Sequence, residues 1–249
     1  MNQASGRRTV ASPATLITAR SLNNTILSMI SSHEYDLLLP HLEAVSMGWH
    51  LALHEPSEPI EFGYFPESGV VSFVVALSDG RTVEVGIVGR EGFVGAPLAG
   101  GLSKSPHRAL VQVPGNAYRI AASALETVLP STPGLRRLLT RYALVQGMQL
   151  AQTAACNRLH SLQQRMARWL VMTQDRVNSH TLPLTHEHLA AVLGTDRPSV
   201  SVMARSFQAD GILVYKRGVV KILSRRKLRQ KTCECYEIIQ QYYSELGLT

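Results

Sequence analysis

The chain has 249 residues, 45% hydrophobic and 17% charged, so it can form a packed core and is not expected to be disordered. Its longest apolar run, residues 69–77, is about nine residues long, well short of the roughly 20 that span a bilayer. No transmembrane helix is therefore expected. The net charge of +7 and the pI near 9.6 indicate affinity for an anionic partner without identifying it.

The cysteine content and the N-terminus indicate the compartment. Cys156, Cys233 and Cys235 are too few and too unevenly placed for a disulfide framework. Arg7 and Arg8 are not followed by the continuous hydrophobic segment of a secretory signal. We therefore expect a cytoplasmic protein.

Charge is distributed very unevenly along the sequence. Residues 30–100 contain ten acidic and two basic residues, so this part should repel a polyanion. Residues 197–231 contain ten basic residues and a single acidic one, Asp210. The molecule is therefore predicted to have an acidic and a basic part, although a basic run can also be plain solvated surface.

The N-terminal half reads as a loose arm followed by β structure. Residues 1–32 are rich in Ser, Thr, Asn and Ala, and we expect a loose arm with at most a short helix at 25–31. From about residue 45 to 120, short apolar or alternating runs are broken by Gly and Pro, which predicts antiparallel strands in a small roll or barrel. The clearest runs are 69–77, 82–88, 109–113 and 117–120. Ser78-Asp79-Gly80 and Pro114-Gly115-Asn116 are typical hairpin turns.

A long helix is predicted to begin at Pro133, after the N-cap candidate Thr132. A mostly apolar stripe runs along it at a spacing of three and four residues. Its members are Leu135, Leu138, Tyr142, Val145, Gln149, Gln152, Cys156, Leu159, Gln163, Met166 and Leu170. A small β-roll would cover only part of this stripe, so we infer that the rest pairs with a second copy of the chain in a homodimer. The alternative is that the stripe packs wholly within one chain.

Two short helices and a hairpin are predicted next. Thr185 is a suitable N-cap for a helix that Gly194 ends, and Asp196 caps a second helix with Pro198 in its first turn. Gly211 ends the second helix. Two strand-like runs, 212–215 and 219–223, then flank Lys216-Arg217-Gly218. This order predicts a helix-turn-helix followed by a basic wing.

One face of the second helix, over residues 197–208, is suited to the major groove of DNA. Arginine can donate two hydrogen bonds to guanine, serine can bond phosphates or base edges, and valine can pack on a thymine methyl. The basic tip of the wing would reach phosphates beside the groove. The DNA-binding candidates are Arg197, Ser199, Ser201, Val202, Arg205, Lys216 and Arg217.

At these residues the sequence resembles the Crp/Fnr family of bacterial transcription regulators, over about residues 33–226. The resemblance is carried by residues 182–201, LPLTHEHLAAVLGTDRPSVS, by ADGIL at 209–213, and by QRMARWLVM at 164–172. It implies an α+β fold with a cyclic-nucleotide-binding-like antiparallel β-roll, a long dimerisation helix and a C-terminal winged helix-turn-helix. It also implies four parts, 1–32, 33–131, 132–159 and 160–249, with a hinge near residues 159–161.

Departures from the family's pattern limit the kinds of effector that the β-roll is expected to bind. The positions that would match the cyclic-AMP phosphate cassette are Gly95-Ala96 and His107-Arg108, without the ribose-binding carboxylate. The resemblance therefore implies an effector other than cyclic AMP, with Gly95, His107 and Arg108 as weak candidates for its site. No cysteine precedes Cys156, so the N-terminal iron-sulfur cluster of some members is not expected.

Several histidine and cysteine side chains could bind a metal or could simply pack in the structure. His50 and His54 could bind a metal with Glu55 or Glu58, but half-buried histidines without a metal are commoner. His186 and His188 are two apart on a helix, as are Cys233 and Cys235 in a probable C-terminal helix, and such pairs do not face each other. We predict no metal and no cofactor. No hydrolase or nucleotide-binding motif is present, so an enzyme is not expected.

The sequence thus predicts a dimeric regulator that binds a near-palindromic operator and senses an unidentified signal through its β-roll. Double-stranded DNA, a second copy of the chain, RNA polymerase and an unknown effector are its expected partners, without a membrane. One alternative is a signal-binding protein that acts through protein contacts, with its basic half on an acidic partner. Another is a metal-dependent enzyme that uses the histidines near residue 50.

Overall fold

The computed structural model describes residues 22–248, and its N-terminal part contains seven strands. These are β1 (Glu43–Met47), β2 (Ala52–His54), β3 (Phe62–Pro66), β4 (Val70–Ala76), β5 (Thr82–Val88), β6 (Arg108–Val113) and β7 (Gly115–Ala121). They form two antiparallel sheets, in the orders β1-β7-β3 and β2-β6-β4-β5. The helices of this part are α1 (Thr25–Met29), α2 (Ser32–Leu38), α3 (Ala96–Ala99) and α4 (Ala122–Val128). The predicted antiparallel β structure is confirmed.

The two predicted hairpin turns have different outcomes. The turn at residues 77–81 joins β4 to β5 as a hairpin, with Gly80 at a φ of 84°. The prediction for Pro114-Gly115-Asn116 is wrong, because β6 and β7 belong to different sheets and Pro114 is the corner between them. A Cβ at Gly115 would lie 2.2 Å from the Ser68 carbonyl oxygen, so this corner requires glycine.

The start of the described chain is packed rather than loose. Asn24 is fully buried, and its Nδ2 donates to the carbonyl oxygens of Pro66 at 3.0 Å and Gly92 at 2.9 Å. Ile26 and Leu27 of α1 lie in the core. The expected loose arm therefore does not extend to α1, since these bonds and the apolar burial anchor the segment. Residues 1–21 of that arm lie outside the described residues, and the division into four parts stays a prediction.

Helix α5 (Pro133–Leu159) is the predicted long helix, and α6 (Leu162–Val177) follows after a break at His160. Much of the predicted stripe of α5 is buried within this one chain, including Leu135, Tyr142 and Gln149. The inference that the rest of this stripe pairs with a second copy is wrong for most of its length, because the β-roll, α3 and α10 (Cys235–Glu245) pack along α5. Leu159, the last member of the stripe on α5, is 74% exposed and belongs to the side of α5 that is left uncovered.

The C-terminal part is a small α/β unit. Its further elements are β8 (Thr181–Pro183), α7 (His186–Leu193), α8 (Arg197–Ala209), β9 (Leu213–Lys216), β10 (Val219–Ile222) and α9 (Arg225–Gln230). The three strands form one antiparallel sheet in the order β8-β10-β9. Together with the β-roll and the long helix, this unit confirms the predicted fold class. No helix within residues 22–248 combines the length and the apolarity that a bilayer crossing requires.

Cys233 and Cys235 were expected on one C-terminal helix, and this expectation is wrong. Helix α10 begins at Cys235, and Cys233 lies in the turn before it. The turn changes the direction of the chain between the two residues. Their side chains can therefore lie on the same side, which positions two apart within a helix cannot.

Helix α6 is joined to the β-roll through a buried carboxyl group. Glu84 on β5 is 5% exposed and accepts hydrogen bonds from Ser72 and from Trp169 Nε1, the latter at 2.8 Å. A second link is the buried ion pair between Arg176 Nε on α6 and Glu91 Oε1, at 2.8 Å. Both links cross from the N-terminal to the C-terminal part, so they determine how the two parts sit on each other.

The carboxyl group of Glu84 gives the fold a predicted pH dependence. Burial raises its pKa from 4.5 to about 7, against the lowering effect of the Ser72 and Trp169 bonds. The unfolded chain loses this proton near pH 4.5, but the folded chain keeps it until about pH 7. The contribution of Glu84 to the free energy of unfolding is therefore fully present below pH 4.5 and is lost as the pH rises to about 7. Glu84→Gln, which can keep both bonds, should remove this fall in denaturant unfolding measured across that range.

Comparison of the natural chain with Glu84→Gln separates the contribution of Glu84 to stability from that of other titrating groups. Burial lowers the pKa of His54 and of His188 to about 4, so both histidines make the chain more stable as the pH rises. Their effect is present in both proteins and cancels in the difference. Equal pH slopes for the natural chain and Glu84→Gln would contradict the assignment.

Candidate nucleic-acid interface

Local capping bonds build the predicted helix-turn-helix. The Thr185 hydroxyl accepts from the His188 amide at 3.1 Å and starts α7, and Gly194, at a φ of 59°, ends it. Asp196 starts α8, since its Oδ1 accepts from the Ser199 amide at 2.7 Å. The three residues between the helices thus form a turn whose ends are both fixed by hydrogen bonds.

Helix α8 has one buried and one exposed side. Val200, Ala204 and Phe207 are almost fully buried against the rest of the C-terminal part. The opposite side, formed by Arg197, Pro198, Val202, Arg205 and Ala209, is exposed to solvent. Val202, an apolar side chain, is 47% exposed there. This recognition face, as we call those five residues, is not covered by any described part of its own chain.

Arg197, the first residue of α8, is held by an ion pair within the chain. Its Nε lies 2.9 Å from Glu187 Oε1 on α7, and both side chains are largely exposed. An exposed ion pair of this kind contributes little free energy. Arg197 can therefore leave Glu187 at small cost when another anion or a guanine base is offered.

The two serine candidates are engaged within the chain. The Ser199 hydroxyl donates to Asp196 Oδ2 at 3.0 Å. Ser201 Oγ lies 3.0 Å from the Arg197 carbonyl oxygen and 2.9 Å from His186 Nδ1. Both side chains thus stabilise the first turns of α8 through bonds within the chain.

The wing is a tight hairpin with its charges at the tip. Arg217 and Gly218, at φ angles of 49° and 76°, form a two-residue turn between β9 and β10. Lys216 and Arg217 are exposed. The Tyr215 ring stacks on His186 at a centroid distance of 4.0 Å, which fixes the base of the wing against α7.

The basic segment 197–231 presents fewer free charges than its sequence suggests. Arg225, Arg229 and Lys231 pair with the carboxylates of Asp175, Glu237 and Asp210 at 2.6–3.0 Å. These pairs hold α9 to α6 and α10 and to the end of α8. Six of the ten basic side chains have no carboxylate within 4.0 Å among the described residues, four of them on the recognition face and the wing and two, Arg226 and Lys227, on α9.

The three weak effector candidates do not line a common cavity. Gly95 is buried at the start of α3, where an added Cβ would lie 3.2 Å from Gly63 Cα. His107 contacts Ser105, and burial lowers the pKa of its ring. Arg108 lines a cavity of about 640 Å³ between the four-stranded sheet and α7, where its Nε lies 2.7 Å from Glu55. Of the three, Arg108 alone is positioned to meet a ligand there.

Aromatic and polar groups line this cavity. Trp49 and His50 on one wall lie 5.9 and 6.0 Å from the His188 ring on α7, measured between centroids. His188 Nε2 and Gln112 Oε1 are buried without a hydrogen-bond partner among the described residues. Two unpaired polar atoms thus lie just behind a mostly apolar wall.

The histidines near residue 50 do not form one site. His50 lies beside Trp49 and His188, whereas His54 is buried against Phe73 at a centroid distance of 6.4 Å. The two candidates for a metal or an enzyme site are therefore separated. His186 and His188 also face different neighbours, as expected for positions two apart on α7.

The sequence matches a known domain over the elements described above. The matching family model is described as a Crp-like helix-turn-helix domain and covers residues 164–231. Residues 164–231 of the chain are therefore similar to a Crp-like helix-turn-helix domain. This stretch includes α7, α8 and the wing, and it ends before Cys233 and α10. No curated protein matches the sequence.

Solved structures of other proteins share the fold over most of the chain. FixK2 from Bradyrhizobium japonicum has a TM-score of 0.64 and 17% identity over 77% of this chain and 98% of its own. A CRP-family transcriptional regulator from Thermus thermophilus has a TM-score of 0.61 and 18% identity, over 75% and 95%. The c-di-GMP-responsive regulator CLP from Xanthomonas campestris has 0.59 and 20%, over 78% and 100%. The expected resemblance to Crp/Fnr regulators is confirmed.

Release of Arg197 from Glu187 should strengthen DNA binding by the Crp-like domain. Glu187→Gln removes the competing carboxylate, and we expect affinity for duplex DNA to rise by up to about fivefold, the scale of one exposed ion pair. Fluorescence anisotropy with a labelled duplex measures the change.

Glu237→Gln is the matched control for this variant. It removes the same charge from an equally exposed pair with Arg229, away from the recognition face. We expect its affinity to stay at the natural level. Equal gains for both variants, or a loss for Glu187→Gln, would contradict the competition.

Proposed function

We propose that the chain is a sequence-specific DNA-binding transcription regulator that reads the major groove with α8. The observation that carries the proposal is the recognition face, which is exposed, begins at Arg197 and adjoins a wing with two exposed cations. A helix of this length fits the major groove, and its N-terminal residues reach the base edges.

Each candidate residue has a role in this proposal. Arg197 donates to guanine, Val202 packs on a thymine methyl, and Arg205 contacts a base edge or a phosphate farther along α8. Lys216 and Arg217 bind phosphates. Ser199 and Ser201 reach the DNA only if they exchange one of their bonds within the chain.

The resemblance also implies an operator unlike that of the best-known relatives. Their recognition helix often carries Arg-Glu-x-x-x-Arg, and here Pro198 and Val202 follow the retained Arg197. A carboxylate and an arginine that would contact bases are thereby replaced with apolar groups. We infer an operator in which thymine methyl contacts replace some polar contacts.

A homodimer is part of the proposal, through the exposed side of α5. An apolar stripe at the spacing of three and four residues remains uncovered on this side. It consists of Leu144, Met148, Ala151, Ala155 and Leu159. Leu144 and Leu159 are 63% and 74% exposed, which is costly in an isolated chain and typical of a helix that pairs with its copy.

Two copies related by a two-fold axis would present two recognition faces. Half-sites about one helical turn apart are expected for such a pair. The operator would then be near-palindromic, because each face reads the same sequence on opposite strands.

The signal would act at the cavity between the sheet and α7. A ligand there contacts both the β-roll and the first helix of the helix-turn-helix, so it favours one of their relative positions. Arg108 is the cation of this cavity, which Glu84 and Glu187 also line, and the unpaired atoms of His188 and Gln112 would meet a ligand only if the side chains move. Contact with RNA polymerase stays a prediction.

Two alanine variants separate reading of the sequence from binding of the backbone. Arg197→Ala should weaken binding to the preferred duplex by roughly 1–3 kcal/mol and binding to a scrambled duplex much less. Lys216→Ala should weaken binding to both duplexes by a similar factor, because phosphates are present in every sequence. Titration of both variants against both duplexes measures the four changes.

The scrambled duplex is the control within this experiment. Equal losses on both duplexes for Arg197→Ala would remove its role as a reader of bases. If the chain binds no duplex in a salt-dependent way, this result would instead favour a protein that acts through protein contacts.

A further inference from the structure

Four side chains of metal-ligand type converge where α5 ends. They are Cys156, His160, Cys233 and Cys235, and one ligand atom from each lies within 4.8 Å of all the others. Cys156 Sγ is 3.5 Å from Cys233 Sγ, and Cys235 Sγ is 3.5 Å from His160 Nδ1. The three cysteines are buried and form a cluster separate from the main hydrophobic core.

The fold brings these residues together from two distant segments. Cys156 and His160 are four apart, one helical turn, at the end of α5. Cys233 and Cys235 flank the turn that leads into α10, which packs on α5. The convergence therefore depends on the docking of α10.

We propose that these four residues, which we call the Cys₃His cluster, bind a tetrahedral divalent metal ion of the Zn²⁺ type. Three thiolates and one imidazole are a common ligand set of structural zinc sites. With bonds of about 2.3 Å, two sulfurs of a tetrahedron lie about 3.8 Å apart. The Cys156–Cys233 separation of 3.5 Å is close to that value and no pair is farther apart than 4.8 Å, so binding needs side-chain movements of about 1 Å or less.

Neighbouring side chains hold the ligands in the required orientation. His160 Nε2 lies 3.2 Å from Glu234 Oε1, so Nδ1 faces the cysteines. A carboxylate on the second nitrogen of a histidine is typical of metal ligands, because it fixes the ring and makes it a better donor. Gln152 Nε2 donates to Cys235 Sγ at 3.1 Å, a bond that stabilises a thiolate.

The surrounding charge favours a negatively charged metal complex. Three thiolates and a divalent ion carry one net negative charge. Arg168 is 4% exposed, and within residues 22–248 no carboxylate lies within 4.0 Å of it or of Arg165. Arg168 donates to Thr153, one turn before Cys156, so its charge lies beside the Cys₃His cluster. The complex would add an anion beside this buried guanidinium, whose charge also acts on Glu84.

The position of the cluster has a mechanical consequence, which rests on the proposed function. His160 is the residue at which α5 ends and after which α6 begins. A metal at the Cys₃His cluster would fasten this break to the start of α10. It would thereby fix the direction in which the DNA-binding part leaves α5, and loading or loss of the ion would change operator affinity.

The ion itself is tested without DNA. The full chain, purified with reduced thiols, should retain about one Zn²⁺ per chain by mass spectrometry of metals. Replacement by Co²⁺ should give thiolate-to-cobalt charge-transfer bands and the visible bands of tetrahedral coordination. The site would be overturned if the chain retained no zinc and also gave no cobalt bands. A Cys156–Cys233 disulfide that persists in the reduced preparation would overturn it as well.

A variant of the residue that orients His160 can weaken zinc binding without unfolding the chain. Glu234→Gln leaves all four ligands in place and should weaken zinc affinity by roughly 10- to 100-fold in a chelator competition. Glu237→Gln, three residues away but paired with Arg229, is the matched control and should leave the affinity unchanged. Equal affinities in the two variants would overturn the role of Glu234 and the geometry on which the site depends.

Direct ligand variants and DNA binding complete the test. His160→Ala should lose most of the retained zinc, whereas His41→Ala, at a histidine far along the chain, should keep it, with circular dichroism confirming that both fold. If zinc is bound but its removal by a chelator leaves operator affinity unchanged, the mechanical consequence fails while the metal site stands. Zinc retention equal in the two histidine variants would overturn the site.

Discussion

The arrangement of this protein depends on the buried contact between Glu84 of the β-roll and Trp169 of α6. A carboxyl group in this position is costly unless its oxygens are satisfied, and Ser72 and Trp169 provide those bonds. Farther along α6, Arg176 meets Glu91 in the same way. Because the bonds are directional, they hold α6 in one orientation on the sheet, which apolar packing alone would define less sharply.

From α6 the contact continues to the recognition face. Arg165 donates to the Leu193 carbonyl oxygen at the end of α7, at 2.7 Å. The buried side of α8 then packs on α7, and the stacked rings of His186 and Tyr215 fix the wing. A change at the sheet, at the cavity beside α7 or at the end of α5 thus reaches α8 through rigid elements. This continuity is the physical basis for coupling a signal to DNA binding.

Much of the fold follows from local sequence signals. The strands were predictable from alternation, and the helix-turn-helix from the caps Thr185 and Asp196 and the stop at Gly194, because each of these acts over a few residues. The long-range features were not predictable in the same way. The stripe on α5 has the right period, but which side is covered depends on α10, a segment about a hundred residues away. The corner at Pro114 could not be told from a hairpin, because a corner between two sheets uses the same residue types as a hairpin turn.

The candidate site shows the same division. The exposed side of α8 was predictable from the helical spacing of its apolar residues. The ion pair between Arg197 and Glu187 and the internal bonds of Ser201 were not, because they depend on the packing of α7 on α8. The four-residue spacing of Cys156 and His160 was a readable signal. It gains meaning only when the turn at Cys233 is placed beside it, and a helix through both later cysteines would have kept them apart.

Selection of bound duplexes from a random pool, with the natural chain and with Leu144→Glu, tests the central claim most directly. The account predicts that the natural chain enriches two inverted half-sites about one helical turn apart, and that the variant, which places a charge in the exposed stripe of α5, enriches one half-site only. Enrichment of no sequence by the natural chain, or of the same two-part sequence by both proteins, would contradict it.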